Sequence, residues 1–236
     1  MERAFSVLRT IATAPGGVSD VARRTDLAVS TTARILGTLV ALGAVDRVEP
    51  GPIYRVGSMI GDLAAAADPS AGLVARARTH LEALVAQVGE TAGISVADGN
   101  HHVLYLDQVE SDHDVTLRDW NGERVPLHAV SSGLVLLAAR TDAEVRDYCS
   151  GGLTRFTDHT VTRAVELKRR LAQIRSDGDA WTVEEFMDGV NSVAAPIRDQ
   201  TGAVIAALHI HGPSYRLRPS NREVTKALLA TAARLS

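Results

Sequence analysis

The sequence predicts an α+β protein in two parts: a small N-terminal domain of helices with a β-hairpin, and a larger domain whose sheet is largely antiparallel. In the first 57 residues, apolar residues recur at helical spacing and two short apolar strands follow. Beyond residue 90, segments that alternate apolar and polar residues are interleaved with helical segments. The length of 236 residues also suits two domains better than one.

The composition is that of an ordinary globular protein, with 45% hydrophobic and 22% charged residues. No basic segment followed by an apolar stretch marks a signal peptide, and no apolar run is long enough for a membrane span. The single cysteine, Cys149, excludes an internal disulfide and a cysteine-based zinc site. We therefore expect a cytoplasmic protein with no membrane partner and no cofactor.

Residues 18–54 predict a winged helix-turn-helix. The pattern indicates two short helices separated by a tight turn, then two strands around a second turn. Ser19 is the expected N-cap of the first helix, and Gly43 is expected to end the second. The predicted boundaries are a turn at 27–28, a helix over 30–42, strands over 45–48 and 53–56, and a hairpin turn at 49–52. The alternative is a small helical subdomain that binds no nucleic acid.

The second helix of this motif has one apolar side and one small, polar side. An α-helix fits a DNA major groove when its facing side is narrow and able to hydrogen-bond. The residues expected on the groove side are Ser30, Thr31, Arg34 and Thr38, and those expected nearer the phosphates are Arg23, Arg24, Arg47 and Arg55. Residues 1–57 carry seven arginines and five acidic residues, a net charge of +2 in a chain of net charge −3. This basic end favours DNA binding over the alternative.

The remaining elements are predicted from periodicity and from the positions of glycine and proline. Residues 2–13 form a first helix, whose inner stripe is expected to be Phe5, Leu8, Ile11 and Ala12. A junction helix near 59–67 is stopped at 68–70, and a longer helix runs over 73–88. Predicted strands lie at 91–97, 102–109, 115–120, 180–185, 191–198 and 203–211, and predicted helices at 131–139, 142–150, 161–175 and 222–235. The expected domains are 1–57, a linker helix over 58–72, and 73–236.

No pattern in the larger domain predicts an enzyme. It contains neither Gly-x-Ser-x-Gly nor a glycine-rich phosphate loop, so the sequence indicates no catalytic residue. The acidic loop formed by Glu110, Asp112, His113 and Asp114 is interpreted as a solvated turn rather than a metal site, because charged residues in loops usually face water.

Two histidines, His209 and His211, lie on a strongly apolar predicted strand. Because side chains two apart on a strand share a face, their imidazoles should point the same way. Three interpretations remain open: packed histidines at a sheet edge, a metal pair with His128 as third ligand, or a pocket wall that donates hydrogen bonds to an anionic or phenolic ligand.

Several motifs in one order resemble those of the IclR family of bacterial transcriptional regulators. The N-terminal match is LAVSTTARILGTLVALGAV at 27–45. The C-terminal matches are Gly89-Glu90-Thr91, VLYLDQVES at 103–111, Pro126-Leu127-His128, Gly133 with Leu136-Leu137-Ala138, Glu184-Glu185 with Gly189-Val190, VAAPI at 193–197, and Gly212-Pro213. The chain departs from the family pattern at Val29, Leu134, His209 and His211, which leaves the ligand open.

The resemblance implies a winged helix-turn-helix domain, a linker helix and a GAF-like effector domain, assembled as homodimers or homotetramers on palindromic double-stranded DNA operators. It also implies an effector pocket, and the residues expected in it are Leu117, Trp120, Val125, His128, Ser131, Ser132, Thr182, Ser192, His209 and His211. Hydroxyls, imidazoles and an indole suit a small organic acid with a flat or aromatic body.

We therefore predict a ligand-responsive DNA-binding transcriptional regulator that acts as a repressor. Two alternatives remain open. One is a metal-dependent sensor or enzyme built around His128, His209 and His211, and the other is an interaction module that does not bind DNA.

Overall fold

The computed structural model describes residues 2–48, 53–67, 69–114 and 117–236. The chain divides into two compact units, Met1–Gly72 and Leu73–Ser236. Within the described residues, no helix is both long enough and apolar enough to cross a membrane.

The first unit combines helices with a two-stranded antiparallel hairpin. Its elements are α1 (Glu2–Thr13), α2 (Val18–Thr25), α3 (Val29–Ala41), β1 (Val45–Val48), β2 (Ile53–Val56) and α4 (Ser58–Ala67). Val45 pairs with Val56, while the predicted turn at 49–52 lies outside the described residues. Gly43 follows α3 with a φ of 71°, a conformation that favours glycine and ends the helix as predicted.

Two helices begin earlier than predicted. Gly17 rather than Ser19 is the N-cap of α2, because the helix already includes the residue before Ser19. The next helix, α5, spans Pro69–Val88, whereas the sequence predicted a stop at 68–70 and a start at residue 73. Proline is tolerated in the first turn of a helix, because its missing N–H would have no intrahelical partner there.

The inner face of α1 also differs from the prediction. Val7 and Ile11 are its buried residues, whereas Phe5 is 62% exposed and Ala12 is exposed. Val7 and Ile11 lie one helical turn apart and join the cluster that holds Leu36 of α3. Phe5 lies on the far side of the helix, because two residues correspond to about 200° of rotation.

The second unit is a six-stranded antiparallel sheet in the order β5-β4-β3-β8-β7-β6, with helices on both faces. Besides α5, its elements are β3 (Thr91–Asp98), β4 (His102–Val109), β5 (Arg124–Pro126), α6 (Ser131–Ala138), α7 (Asp142–Ser150), α8 (Ala164–Asp177), β6 (Ala180–Val183), β7 (Val190–Arg198), β8 (Val204–Pro213) and α9 (Arg222–Leu235). A 3₁₀ turn, Leu127–Ala129, joins β5 to α6.

The strand predicted over 115–120 is wrong where the structure describes it, since residues 117–120 form no strand. Residues 115 and 116 lie outside the described residues. The strand beside β4 is instead β5, in which Val125 pairs with Val103. The turn at Asn121 and Gly122 lies between this irregular segment and β5. Because residues 117–120 form no strand, they can lie over one face of the sheet instead of at its edge.

Different helices cover the two faces of the sheet. Leu208 of β8 belongs to a hydrophobic cluster with residues of α5 and α9. Ala207 belongs to a second cluster with residues of α6 and α8, and His209 and His211 share its side by the two-residue period. Every residue from 206 to 213 is buried, so both histidines are held inside the molecule.

Candidate DNA-binding helix and ligand cavity

The polar side of α3 faces away from the core of the first unit. Ser30, Arg34 and Thr38 are exposed and Thr31 is half-buried. The Thr38 hydroxyl donates to the Arg34 carbonyl at 3.1 Å. The Arg34 guanidinium has no hydrogen bond or ion pair with any residue that the structure describes, so it is free to contact a base or a phosphate.

Arg24, which was expected near the phosphates, hydrogen-bonds within the first unit. Its guanidinium donates to the Ala14 carbonyl at 2.8 Å and to the Thr10 carbonyl at 2.6 Å. Its side chain is only 27% exposed. These bonds satisfy carbonyls at the C-terminal end of α1 and hold that end against α2.

The other three arginines expected near the phosphates are exposed. Arg23 pairs with Asp20, and Arg55 pairs with Asp46 at 3.4 Å. Exposed pairs of this kind are worth about 0–1 kcal/mol, so both cations can exchange their partner for a phosphate. Arg47 makes no side-chain bond within the described part of the chain.

A cavity lies in the second unit beside β8 and the start of α6. The described residues that line it are Tyr105, Leu117, Trp120, Val130, Ser131, Thr182, Phe186, Met187, Val190, Ser192, His209 and His211. About 450 Å³ of space lies between them, of which about 40 Å³ can be reached by the centre of a water molecule. Seven of the ten residues predicted for the pocket are brought together here.

His209 and His211 stack on one another, with ring centroids 5.6 Å apart and ring planes 15° from parallel. Tyr105 makes an edge-to-face contact with His209 at a centroid distance of 4.9 Å. Within the described residues, neither ring nitrogen of His209 has a hydrogen-bond partner, and Nε2 of His211 has none. Buried polar atoms are nearly always partnered in folded proteins, so these nitrogens are available to hydrogen-bond a molecule in the cavity.

Both imidazoles are neutral at physiological pH. Burial lowers the pKa of His211 to about 4. Burial also lowers the pKa of His209 well below its ordinary value, and the neighbouring His211 acts in the same direction. Burial raises the pKa of Tyr105 to about 12. The wall of the cavity therefore offers neutral donors and acceptors instead of charges.

Helix α6 begins at the cavity, where Val130 and Ser131 belong to the lining. The backbone N–H groups of residues 131–133 have no acceptor within the helix, because they precede its first complete turn. With the helix dipole, they favour an anion. Across β6 and β7, the hydroxyls of Thr182 and Ser192 are 2.7 Å apart and bond to each other. The cavity thus brings the N-terminal end of a helix together with side chains that can hydrogen-bond.

His128 does not line the cavity, and both of its ring nitrogens are occupied. Nε2 lies 2.9 Å from the Thr154 carbonyl, which can only accept, so Nε2 carries the hydrogen. Burial lowers the pKa of His128 and keeps the ring neutral, so Nδ1 accepts from the Tyr148 hydroxyl at 2.7 Å. His128 is therefore wrong as the third ligand of a metal site. Among the described residues, no group of three or more His, Cys, Asp or Glu is placed to hold a metal ion.

Val125 and Ser132 were also expected in the pocket and lie outside its lining. Val125 packs in the cluster beneath α6, and Ser132 is turned about 100° from Ser131 around the helix. The lining residues that the sequence did not predict are Tyr105, Val130, Phe186, Met187 and Val190. The alternation of β4 could have indicated Tyr105, but no local pattern places the loop between β6 and β7 over the cavity.

A winged helix-turn-helix unit joined to a sheet domain with a cavity that holds two histidines is the arrangement of a ligand-responsive transcriptional regulator. Comparison with known proteins identifies the family. Residues 1–49 match the IclR helix-turn-helix domain, and residues 65–236 match the bacterial transcriptional regulator IclR C-terminal domain. The chain belongs to the IclR family of bacterial transcriptional regulators.

Individual relatives resemble the chain over most of its length. It is 33% identical over 236 residues to the HTH-type transcriptional regulator BhcR of Paracoccus denitrificans (strain Pd 1222), covering 99% of this chain and 84% of that protein. It is 31% identical over 220 residues to the HTH-type transcriptional repressor AllR of Escherichia coli (strain K12), covering 92% and 81%. A solved IclR homolog complexed with 4-hydroxybenzoate, from Microbacterium hydrocarbonoxydans, is similar with a TM-score of 0.66 and 28% identity, covering 99% and 95%.

We expect His211 to make the protein less stable as the pH falls. Its pKa is about 4 in the folded protein, below the value of about 6.5 for a free histidine. The unfolded chain therefore takes up the proton first, and His211 should cost about 1.5 kcal/mol of unfolding free energy between pH 6.5 and pH 5. Denaturant titrations across this pH range should show a smaller decrease in the free energy of unfolding for His211→Asn than for the wild type. His159→Asn, at an exposed histidine, is the matched control. An unchanged slope in His211→Asn would contradict the neutral, buried state of this ring.

Proposed function

We propose that this regulator is a cytoplasmic repressor whose affinity for its operator changes when the second unit binds a small organic acid with a flat, aromatic body. The observation that carries this proposal is the cavity whose buried histidine nitrogens lack partners among the described residues. Similarity to a protein named as a repressor supports the direction of regulation, and similarity to a homolog complexed with 4-hydroxybenzoate supports the class of ligand.

For DNA, we infer that α3 enters the major groove with Ser30, Thr31, Arg34 and Thr38 towards the bases. The exposure of this side, and the absence of intramolecular partners for the Arg34 guanidinium in the described chain, support the assignment. Arg47 is the arginine best placed to contact a phosphate at no cost to an existing ion pair, while Arg23 and Arg55 would each leave an acidic partner.

Arg34→Ala should weaken binding to the operator by about 1–3 kcal/mol, because a bidentate arginine contact to a guanine supplies that much discrimination. Arg47→Ala should weaken binding to operator and unrelated DNA alike, and should reduce the salt dependence. Fluorescence anisotropy with DNA from upstream of the gene measures both, with the exposed Arg9→Ala of α1 as control. Wild-type affinity in Arg34→Ala would show that α3 is not the recognition helix.

We propose that the protein acts as a homodimer or homotetramer on a palindromic operator, because one winged unit reads too few base pairs to find a single site in a genome. Phe5 of α1 is 62% exposed and Leu63 of α4 is 56% exposed. Large apolar side chains exposed on these helices support them as contact surfaces between copies. Light scattering at micromolar concentration should report at least two chains, and a mass of one chain would contradict the proposal.

For the ligand, we propose that its carboxylate binds the N-terminus of α6, since the described lining contains no lysine or arginine to neutralise it. The aromatic body would lie against Trp120 and Phe186, whose rings are in edge contact at 5.8 Å. With about 40 Å³ accessible, the empty cavity is too small for such an acid. Met187 lines the cavity and is also 40% exposed, which makes the loop between β6 and β7 the part that must move to admit the ligand.

The ligand can change operator binding only by the difference between its affinities for two arrangements of the DNA-binding units. Its site is built from the second unit alone, so it would act by altering how two copies hold their recognition helices apart. This mechanism requires that DNA binding and ligand binding can be lost separately.

His209→Ala and His211→Ala should therefore lose most of the response to ligand while keeping operator affinity close to that of the wild type. Removing an imidazole takes away a hydrogen-bonding wall of the cavity without touching α3. Operator release can be followed in gel shifts with a panel of small carboxylic acids that includes 4-hydroxybenzoate, and calorimetry gives the affinities. His159→Ala is the matched control. If both cavity variants respond like the wild type, the two histidines are packing residues only.

A further inference from the structure

The buried side-chain atoms that lack partners are concentrated on one face of the sheet. Within the described residues they include Ser95 Oγ, Gln108 Nε2, both ring nitrogens of His209, and His211 Nε2. These residues lie on β3, β4 and β8, which are neighbours in the sheet. Leaving a buried polar group unpaired destabilises the fold, so such a concentration indicates a position for polar atoms of a ligand.

A β-bulge in β4 brings Gln108 to this face. Ser95 of β3 pairs with Tyr105, whereas Ile94 pairs with Asp107 and Gly93 pairs with Gln108. Strict alternation along β4 would put Asp107, not Gln108, on the same side as Tyr105. The additional residue in β4 reverses the alternation, so that Tyr105 and Gln108 both face α6.

Gly93 lets the side chains on either side of it approach one another. It pairs with Gln108 on β4 and with His209 on β8, so these two residues flank it on the same face. A Cβ on Gly93 would lie 2.8 Å from Nε2 of His209, too close for any larger residue. The imidazole of His209 therefore lies directly over the Gly93 backbone, on the side of the sheet to which Gln108 points.

The amide of Gln108 has a determined orientation. Its Oε1 accepts from the backbone N–H of Trp120 at 3.3 Å, so the unpartnered Nε2 is a donor. The neutral ring of His209 has one nitrogen that donates and one that accepts. The Gln108 donor and the His209 acceptor thus lie on the two strands that flank Gly93, on one face of the sheet, and His209 and Trp120 also line the cavity.

We propose that Gln108 and His209, above Gly93, form a subsite that binds a hydroxyl group of the effector. A hydroxyl accepts from Gln108 Nε2 and donates to an imidazole nitrogen, so one group satisfies both. A carboxylate accepts from Gln108 Nε2 but leaves the hydrogen-free nitrogen of His209 without a donor, and an ammonium cannot accept from Gln108, so neither satisfies both atoms. This inference rests on the proposed function, and it narrows the ligand to a hydroxylated acid with its carboxylate at α6.

Calorimetry on the full chain tests the subsite with pairs of acids that differ by one hydroxyl: benzoate with 4-hydroxybenzoate, benzoate with 3-hydroxybenzoate, and propionate with 3-hydroxypropionate. In at least one pair the hydroxylated acid should bind the wild type about tenfold more tightly, as expected for one well-made hydrogen-bonded group. The measured quantity is the ratio of the two affinities, because general effects of a substitution on the cavity cancel in it.

Gln108→Met and His209→Phe should each reduce this ratio to about one, since each keeps the size of the side chain but removes a hydrogen-bonding atom. Gln108→Glu keeps the acceptor for the Trp120 N–H while removing the Nε2 donor, and should reduce the ratio as well. Gln200→Met, at an exposed glutamine, is the matched control and should keep the wild-type ratio.

Two outcomes would overturn the subsite. One is that no hydroxylated acid binds more tightly than its partner. The other is that the variants keep the wild-type ratio, even if they become less stable, since Gln108 and His209 would then serve the fold alone. The proposed function fails by a different result, namely operator DNA that no acid releases from the wild type, so the two failures are distinguishable.

Discussion

Both faces of the central strand β8 are covered, and this constraint determines the chemistry of the second unit. The strand lies between β3 and β7, and each residue from 206 to 213 is buried. Apolar side chains meet this constraint by packing, but His209 and His211 can meet it only as neutral rings, because an unpaired buried charge costs several kcal/mol. The two imidazoles that line the cavity are therefore neutral rings and not cations.

The neighbours of β8 accommodate these rings. Gly93 on β3 leaves room for the imidazole of His209, and the bulge in β4 turns Gln108 to the same side. Trp120, on the irregular segment before β5, is held over the sheet by its bond to Gln108. A chain with a side chain at position 93 could not keep His209 where it is, so the cavity depends on a residue that contributes no polar atom to it.

Some arginines of the first unit stabilise its fold through hydrogen bonds, whereas others have no internal partner among the described residues and are available to contact DNA. Arg24 is committed to the carbonyls that end α1, whereas Arg34 and Arg47 have no partners within the described residues. Their guanidinium groups can therefore contact DNA without the loss of an internal hydrogen bond or ion pair. The same unit also exposes large apolar side chains, Phe5 on α1 and Leu63 on α4.

Local periodicity by itself determined which side of α3 is buried and that His209 and His211 share a face, because both follow from the geometry of a single helix or strand. The order of motifs likewise determined the α+β class and the family. Tertiary structure decided the rest. The bulge in β4 places Gln108, and not Asp107, on the face of the sheet that holds His209. The Arg24 guanidinium donates to the Thr10 carbonyl of α1. The two ring nitrogens of His128 bond to Thr154 and Tyr148. These outcomes depend on contacts between segments far apart in the chain, and a local pattern carries no information about which distant segment will be adjacent.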